Sequence, residues 1–293
     1  MTDWIETYRG AVPPWQCDVT EHFTVAYYFD RLEEAAANLT GTLGLRVGMP
    51  RQIDARYARE LRAGATFHIE SAPLSIDDGL RAGHRVVESS SGEIVTWFDT
   101  HYDLTLSPDQ RRAIGERLAI WNGPATEPRS EPTRTDGFIP TARGRAKPGD
   151  LDATGAFSLS AMVHRFSNAS GQTAAALGMD TAFLQRNRRG FSTFEMTLRL
   201  SGVLGLDEPY LIETGIGHLG NSSMRMIHRM TNPRNGDEIA RLGQYGVNLD
   251  LDARRPARWP DDIRDRAAKL VVPVGPPKSL SSGTSRVGGM TEY

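Results

Sequence analysis

The sequence predicts an α+β protein made of two similar halves, each a long helix followed by antiparallel strands. Three features predict it: an internal repeat, a helical apolar stripe early in each half, and strand-like alternation after each stripe. At 293 residues the chain is longer than one typical domain and suits two.

The repeat is found by setting Asp18 over Asp152 and running forward without a gap. Seven of 28 positions then match: Asp18/Asp152, Thr20/Thr154, Phe23/Phe157, Arg31/Arg165, Ala35/Ala169, Leu43/Leu177 and Gly44/Gly178. The apolar pattern is stronger support than the identities. Val25, Phe29, Leu32, Ala36, Leu39 and Leu43 fall at helical spacing, and Leu159, Val163, Phe166, Ser170, Thr173 and Leu177 take the same positions in a weaker stripe. Each reads as a helix of about five turns ending at a glycine.

The echo continues downstream. Ile69-Glu70 corresponds to Ile212-Glu213, His84-Arg85 to His228-Arg229, Gly92 to Gly236, and Glu93-Ile94 to Glu238-Ile239. Ile94, Thr96, Phe98, Thr100, Tyr102 and Leu104 alternate along one strand face, as do Met224, Met226, His228 and Met230. Ser91-Gly92-Glu93 and Asn235-Gly236-Asp237 have hairpin-turn chemistry. A broadly apolar helix beside half-buried strands predicts a sheet that wraps the helix. A repeat of about 140 residues is too long for a solenoid and implies a duplicated domain.

The predicted domains are 1–121 and 151–270. Residues 122–150, with Pro124, Pro128, Pro132, Pro140 and Pro148, read as a linker, and residues 271–293 as a flexible tail. A hydrophobic content of 39%, 24% charged residues and a net charge of −2 describe an ordinary globular chain, without the basic excess that nucleic-acid or membrane-surface binding needs. One cysteine, Cys17, cannot form an internal disulfide. No signal-like segment or run of about 18 apolar residues occurs, so a cytoplasmic location is expected.

The first half reads Trp15-Gln16-Cys17-Asp18-Val19-Thr20-Glu21-His22-Phe23, with Tyr28 six residues past the histidine. This resembles the 4-hydroxybenzoyl-CoA thioesterase-like branch of the hotdog superfamily, whose members often read D-x-x-G-H-[MV]-N followed by that tyrosine at the central helix. Asp18, His22, Tyr28 and the run Leu32-Glu33-Glu34-Ala35 match the pattern; Glu21 stands for the usual Gly and Thr24 for the usual Asn. The second half keeps Asp152 and Gly155 but has Ala156 where the histidine would sit. Glu60-Leu61-Arg62-Ala63-Gly64 is similar to the family's strand start. The resemblance implies a tandem double hotdog and hydrolysis of an acyl-CoA or acyl-carrier-protein thioester, with Asp18 as nucleophile or general base.

A thioester is activated by polarising its carbonyl while a carboxylate attacks or deprotonates water, and unpaired amides at a helix start suit the developing oxyanion. Asp18 could serve there; the bland alternative is an ordinary helix cap. Asp152 faces the same choice with less of the motif around it. Glu21 reads either as a like charge raising the Asp18 pKa or as a solvated first-turn acid. His22 reads as catalytic, substrate-orienting or turn-forming, with Tyr28 and Gly155 as positioning candidates. Cys17 lacks the spacing of a cysteine nucleophile, and His228 reads as a satisfied core or pocket histidine. Gly220-Asn221-Ser222-Ser223 reads as a strand bend or pocket wall, not a nucleophile elbow.

Arg56, Arg59 and Arg62, and Arg254, Arg255 and Arg258, are the clusters that could meet CoA phosphates. Neither a metal nor a cofactor is expected, CoA entering only as part of the substrate. The expected partner is an acyl-CoA or acyl carrier protein, in a tunnel between the halves, with further oligomerisation left open. The competing functions are a hotdog hydratase or dehydratase, whose D-x-x-x-x-H spacing Asp18 and His22 do not meet, and a non-catalytic acyl-binding protein.

Overall fold

The computed structural model describes residues 4–18, 21–125 and 127–276. One antiparallel sheet runs through both halves in the order β1-β3-β4-β5-β2-β7-β10-β9-β8-β6. The first half supplies β1 (Ile5–Ala11), α1 (Val25–Thr42), β2 (Gln52–Tyr57), β3 (Thr66–Ser75), β4 (Leu80–Glu88), β5 (Ile94–Tyr102) and α2 (Pro108–Gly115). The second supplies β6 (Ile139–Arg145), α3 (Leu159–Ala176), α4 (Thr181–Asn187), β7 (Arg189–Leu200), β8 (Pro209–Leu219), β9 (Ser223–Thr231), β10 (Glu238–Asp250), the two-residue β11 (Arg255–Pro256) and α5 (Asp261–Ala268). The two five-strand orders mirror each other about the β2–β7 pair, where Gln52 faces Arg199 and Arg56 faces Glu195.

The predicted helices form where the stripes place them, and both are 18 residues long. Both turn off into a left-handed glycine, Gly44 at φ 67° and Gly178 at φ 85°, a conformation that costs a side chain about 1–2 kcal/mol and glycine little. Phe29 and Leu32 of α1 and Val163 and Phe166 of α3 are fully buried in a core that both halves share. Truncating either phenylalanine to alanine costs about 3–5 kcal/mol at such sites. This is the α+β hotdog arrangement: a long helix lying in a curved antiparallel sheet, made twice and joined edge to edge.

The segment read as linker differs from the expectation. Within 122–150, residues 139–145 form β6 and pair with β8, the counterpart of β1 on β3. Five prolines pointed away from structure, but β6 is an edge strand and its ladder is irregular between Pro140 and Ala142, the place where a missing N–H is tolerated. The preceding segment lies against the outer sheet face. Arg129 donates to Glu195 at 2.8 and 2.5 Å, and Glu131 lies 3.0 Å from Arg199 and 3.1 Å from Arg225. That cover explains why Trp97 and Asp99 are buried as well as the alternate residues of β5. The start of the predicted tail is also anchored: Val272 is buried and Val271 bridges to Ile216. Residues 277–293 of that tail lie outside the described residues. No helix among the described residues is long and apolar enough to cross a membrane.

Two buried histidines occupy equivalent places. His84 Nδ1 is 2.7 Å from Ser71 Oγ, which is 2.6 Å from Thr7 Oγ1. His228 Nδ1 is 2.7 Å from Thr214 Oγ1, which is 2.8 Å from Thr141 Oγ1. Burial lowers His84 to about 3 and His228 to about 4 from the ordinary 6.5. The folded chain therefore keeps both neutral where the unfolded chain takes up protons, and stability falls as pH drops from 6.5 toward 4. In urea titrations, His84→Gln should lose less stability than the wild type across that window; an equal loss contradicts the assignment.

Candidate active site

A cavity of about 400 Å³ opens between the halves. The first half contributes Asp18, His22, Phe23, Thr24, Val25, Tyr28, Tyr57, Arg59 and Glu60, which is to say the turn before α1, the start of α1 and the chain after β2. The second half contributes Ser167 and Ser170 from mid-α3, the α4 surface, the first residues of β7, and Gln244 with Leu249 and Leu251 from the β10 end.

The turn closes on itself. The Asp18 N–H donates to the His22 carbonyl at 2.9 Å, Glu21 N–H to the Asp18 carbonyl at 3.0 Å, and His22 N–H to Asp18 Oδ1 at 3.3 Å. Glu21 takes φ 65°, the left-handed value that Gly155 adopts at 83° in the second half. A side chain in that conformation stores strain of order 1 kcal/mol, which accounts for glycine being the usual residue there. The helix begins later, with Thr24 as its N-cap, so Asp18 is not a helix cap. Glu21 is not in the first helical turn either; it is exposed, 4.0 Å from Arg62, and does not line the cavity.

His22 is buried, with Nε2 2.9 Å from Glu60 Oε2 and 3.4 Å from Arg254 Nη1; Arg254 also lies 3.8 Å from Glu60. Asp18, His22, Glu60 and Arg254 thus form one polar group at one end of the cavity. Beside it, among the described residues, no acceptor meets the Val25 and Ala26 N–H groups that open α1. Tyr28 packs on Phe23, and its hydroxyl accepts from Leu61 N–H at 3.3 Å. Burial pushes the Tyr28 and Tyr57 hydroxyls well up, so both are neutral donors. Burial, then the neighbouring Asp18 charge, also raises the Cys17 thiol, which makes it a poor nucleophile.

The inner wall is a polar chain. Ser170 Oγ donates to Gln244 Oε1 at 2.7 Å and lies 3.1 Å from His228 Nε2, while Gln244 Nε2 donates to Thr193 Oγ1 at 2.7 Å. His228 is therefore the satisfied core histidine expected, but it supports a cavity residue. Arg59 and Arg188 line the cavity with side chains 63% exposed, each beside a carboxylate, Glu93 at 2.6 Å and Asp252 at 3.1 Å; Arg254, 48% exposed, stands behind Glu60 at 3.8 Å.

The other candidates lie elsewhere. Asp152 closes the equivalent turn, its Oδ1 accepting from Ala156 N–H at 3.1 Å, outside the cavity. Gly155 is the exposed apex of that turn. Arg56 pairs with Glu195 at 3.4 Å on the outer sheet face, because β2 alternates and its Ile53 and Ala55 take the core side. Arg255 is exposed on β11, and Arg258 pairs with Asp261 at 3.0 Å. Gly220-Asn221-Ser222 is the bend between β8 and β9, and Ser223 opens β9. Sequence reading missed Ser167, Ser170, Gln244 and α4 as cavity residues. A serine interrupting the apolar stripe of α3 was the available signal.

Glu33, in the acidic run of α1, reaches across to α3. Its carboxylate accepts from Leu159 N–H at 2.8 Å and Ser160 N–H at 3.2 Å. Burial raises it to about 7 despite those donors, with the Asp30 and Asp152 charges adding to the rise. Between 4.5 and about 7 the folded chain holds a proton that the unfolded chain releases, so stability falls as pH rises through that window. Glu33→Gln should lose less stability than the wild type between pH 4.5 and about 8; identical urea midpoints shifts would contradict this.

Residues 146–267 match the model of the Thioesterase-like superfamily. No curated protein matches the sequence. Among solved structures, an acyl-ACP thioesterase from Bacteroides thetaiotaomicron superposes with TM-score 0.62 at 11% identity, over 82% of this chain and 96% of that one. A 12:0-ACP thioesterase from Umbellularia californica gives TM-score 0.59 at 14% identity, over 82% and 92%. These similarities show the fold that the chain shares with the two structures, and the family match covers residues 146–267.

Proposed function

We propose that the protein hydrolyses an acyl thioester carried on phosphopantetheine, as in an acyl-CoA, in the cavity between its halves. The observation that carries this reading is the meeting of Asp18 and His22 with the open start of α1, across the cavity from Ser167 and Ser170. The substrate carbonyl would accept from the Val25 and Ala26 amides, where the helix dipole favours developing negative charge. Attack at the carbonyl carbon, by water deprotonated at Asp18 or by Asp18 itself, forms the new C–O bond. The C–S bond then breaks and the thiolate takes up a proton; on the nucleophilic route water then hydrolyses the acyl-Asp18 anhydride, which releases the acid and frees Asp18.

His22, held by Glu60 at 2.9 Å, would deliver that proton. Glu60 would fix the orientation of the ring through Nε2. The 400 Å³ cavity, walled by Phe23, Tyr28, Tyr57, Leu184 and Phe191, is within the range of small-ligand sites and suits an acyl group. Arg59 and Arg188, exposed on the cavity lining, suit the phosphates of CoA or of a carrier protein's prosthetic arm.

The test is free-thiol release from a panel of acyl-CoA substrates. Asp18→Asn should lower turnover at least about a hundredfold with the fold intact, since the Asn Oδ1 can still accept from His22 N–H. Asp152→Asn should leave turnover unchanged. Loss of activity in Asp152→Asn alone would place the site in the other half, and full activity in both would remove the mechanism.

A further inference from the structure

We infer that Glu33 fills the oxyanion position of a second, pseudo-equivalent site, leaving the chain one working site; this rests on the thioesterase reading. The duplication makes two such sites geometrically available, because each long helix starts opposite the middle of the other. Val25 and Leu159 are the first residues of α1 and α3, so position 33 of α1 corresponds to position 167 of α3. Ser167 lines the cavity with Thr24 and Val25. At the mirrored place the side chain is longer and acidic, and it takes both leading amides of α3, Leu159 at 2.8 Å and Ser160 at 3.2 Å.

Those two amides correspond to Val25 and Ala26. A thioester carbonyl reaching them would have to displace side-chain oxygens that already accept from both amides and are held there within the same fold. Neighbouring substitutions agree: Ala156 stands where His22 would be, and Ala36 where Ser170 would be. Among the described residues, α4 has no counterpart between α1 and β2. The second site has therefore lost its acid–base partner, and one internal side chain holds its anion position.

Two substitutions in the full chain test this. Glu33→Gln should leave kcat/KM for the best acyl-CoA within about twofold of wild type. Ser167→Glu, which carries the carboxylate into the first site, should lower it at least about a hundredfold without lowering the thermal midpoint. A hundredfold loss in folded Glu33→Gln would make Glu33 a working group and overturn the inference, as would full activity in Ser167→Glu.

Amide hydrogen exchange gives a readout independent of turnover. In the wild type the Val25 and Ala26 amides should exchange at least about tenfold faster than Leu159 and Ser160, and Glu33→Ala should abolish the difference. Equal exchange at the two helix starts in the wild type overturns the inference. A chain that releases no thiol from any acyl-CoA, yet shows the exchange contrast, would sink the thioesterase reading while Glu33 still caps α3.

Discussion

The pairing of β2 with β7 is the constraint on which everything else rests. Gln52 through Arg56 hydrogen-bond with Arg199 through Glu195, and that seam turns two five-strand sheets into one. Once the seam is set, α1 and α3 must lie side by side on the same face, antiparallel about a local twofold. The start of each then lies opposite the middle of the other. A cavity containing Asp18 and His22 from one half and Ser167 and Ser170 from the other follows from that geometry. The outer face is tied by the same connection that links the halves in sequence, through Arg129–Glu195 and the arginines around Glu131. Such paired buried charges fix geometry more than they add stability.

Duplication made the two halves alike, and a few substitutions made them different. The turn around Asp18 and the turn around Asp152 use the same three hydrogen bonds. Both halves also keep a neutral histidine at the same place in the core. The differences gather around the two helix starts: a histidine against Ala156 in the turn before each helix, a serine against Glu33 on the facing helix, and α4 present on one side. The aspartates have a turn-closing duty in both halves, so an aspartate in this motif does not by itself mark a working site. What distinguishes Asp18 is its company, namely His22, Glu60, Arg254 and open amides.

Much of the fold was legible because burial writes a period into the sequence. The stripes at Val25–Leu43 and Leu159–Leu177 became α1 and α3, and their closing glycines take left-handed φ values. The ungapped register also extends upstream, through Ile5/Ile139, Thr7/Thr141, Gly10/Gly144 and Pro14/Pro148. That extension is β1 and β6, and reading it would have removed the linker assignment from 139–145. Proline content hid it, because an edge strand tolerates what a central strand does not. The site was only half legible. Asp18, His22 and Tyr28 share one local motif, whereas Glu60, Ser170, Gln244 and Arg254 join them through tertiary contacts that no spacing encodes. Arg56 was misplaced for the opposite reason: strand alternation sends it to the outer face, away from its neighbour Arg59.

The central claim is that the amides opening α1 receive the substrate carbonyl. Backbone N–H chemical shifts, followed while the full chain is titrated with a CoA analogue bearing a ketone in place of the thioester, test it most directly. The account predicts large shifts at Val25 and Ala26 and none beyond background at Leu159 and Ser160. Shifts confined to Leu159 and Ser160, or absent from both helix starts with the analogue bound, would contradict it.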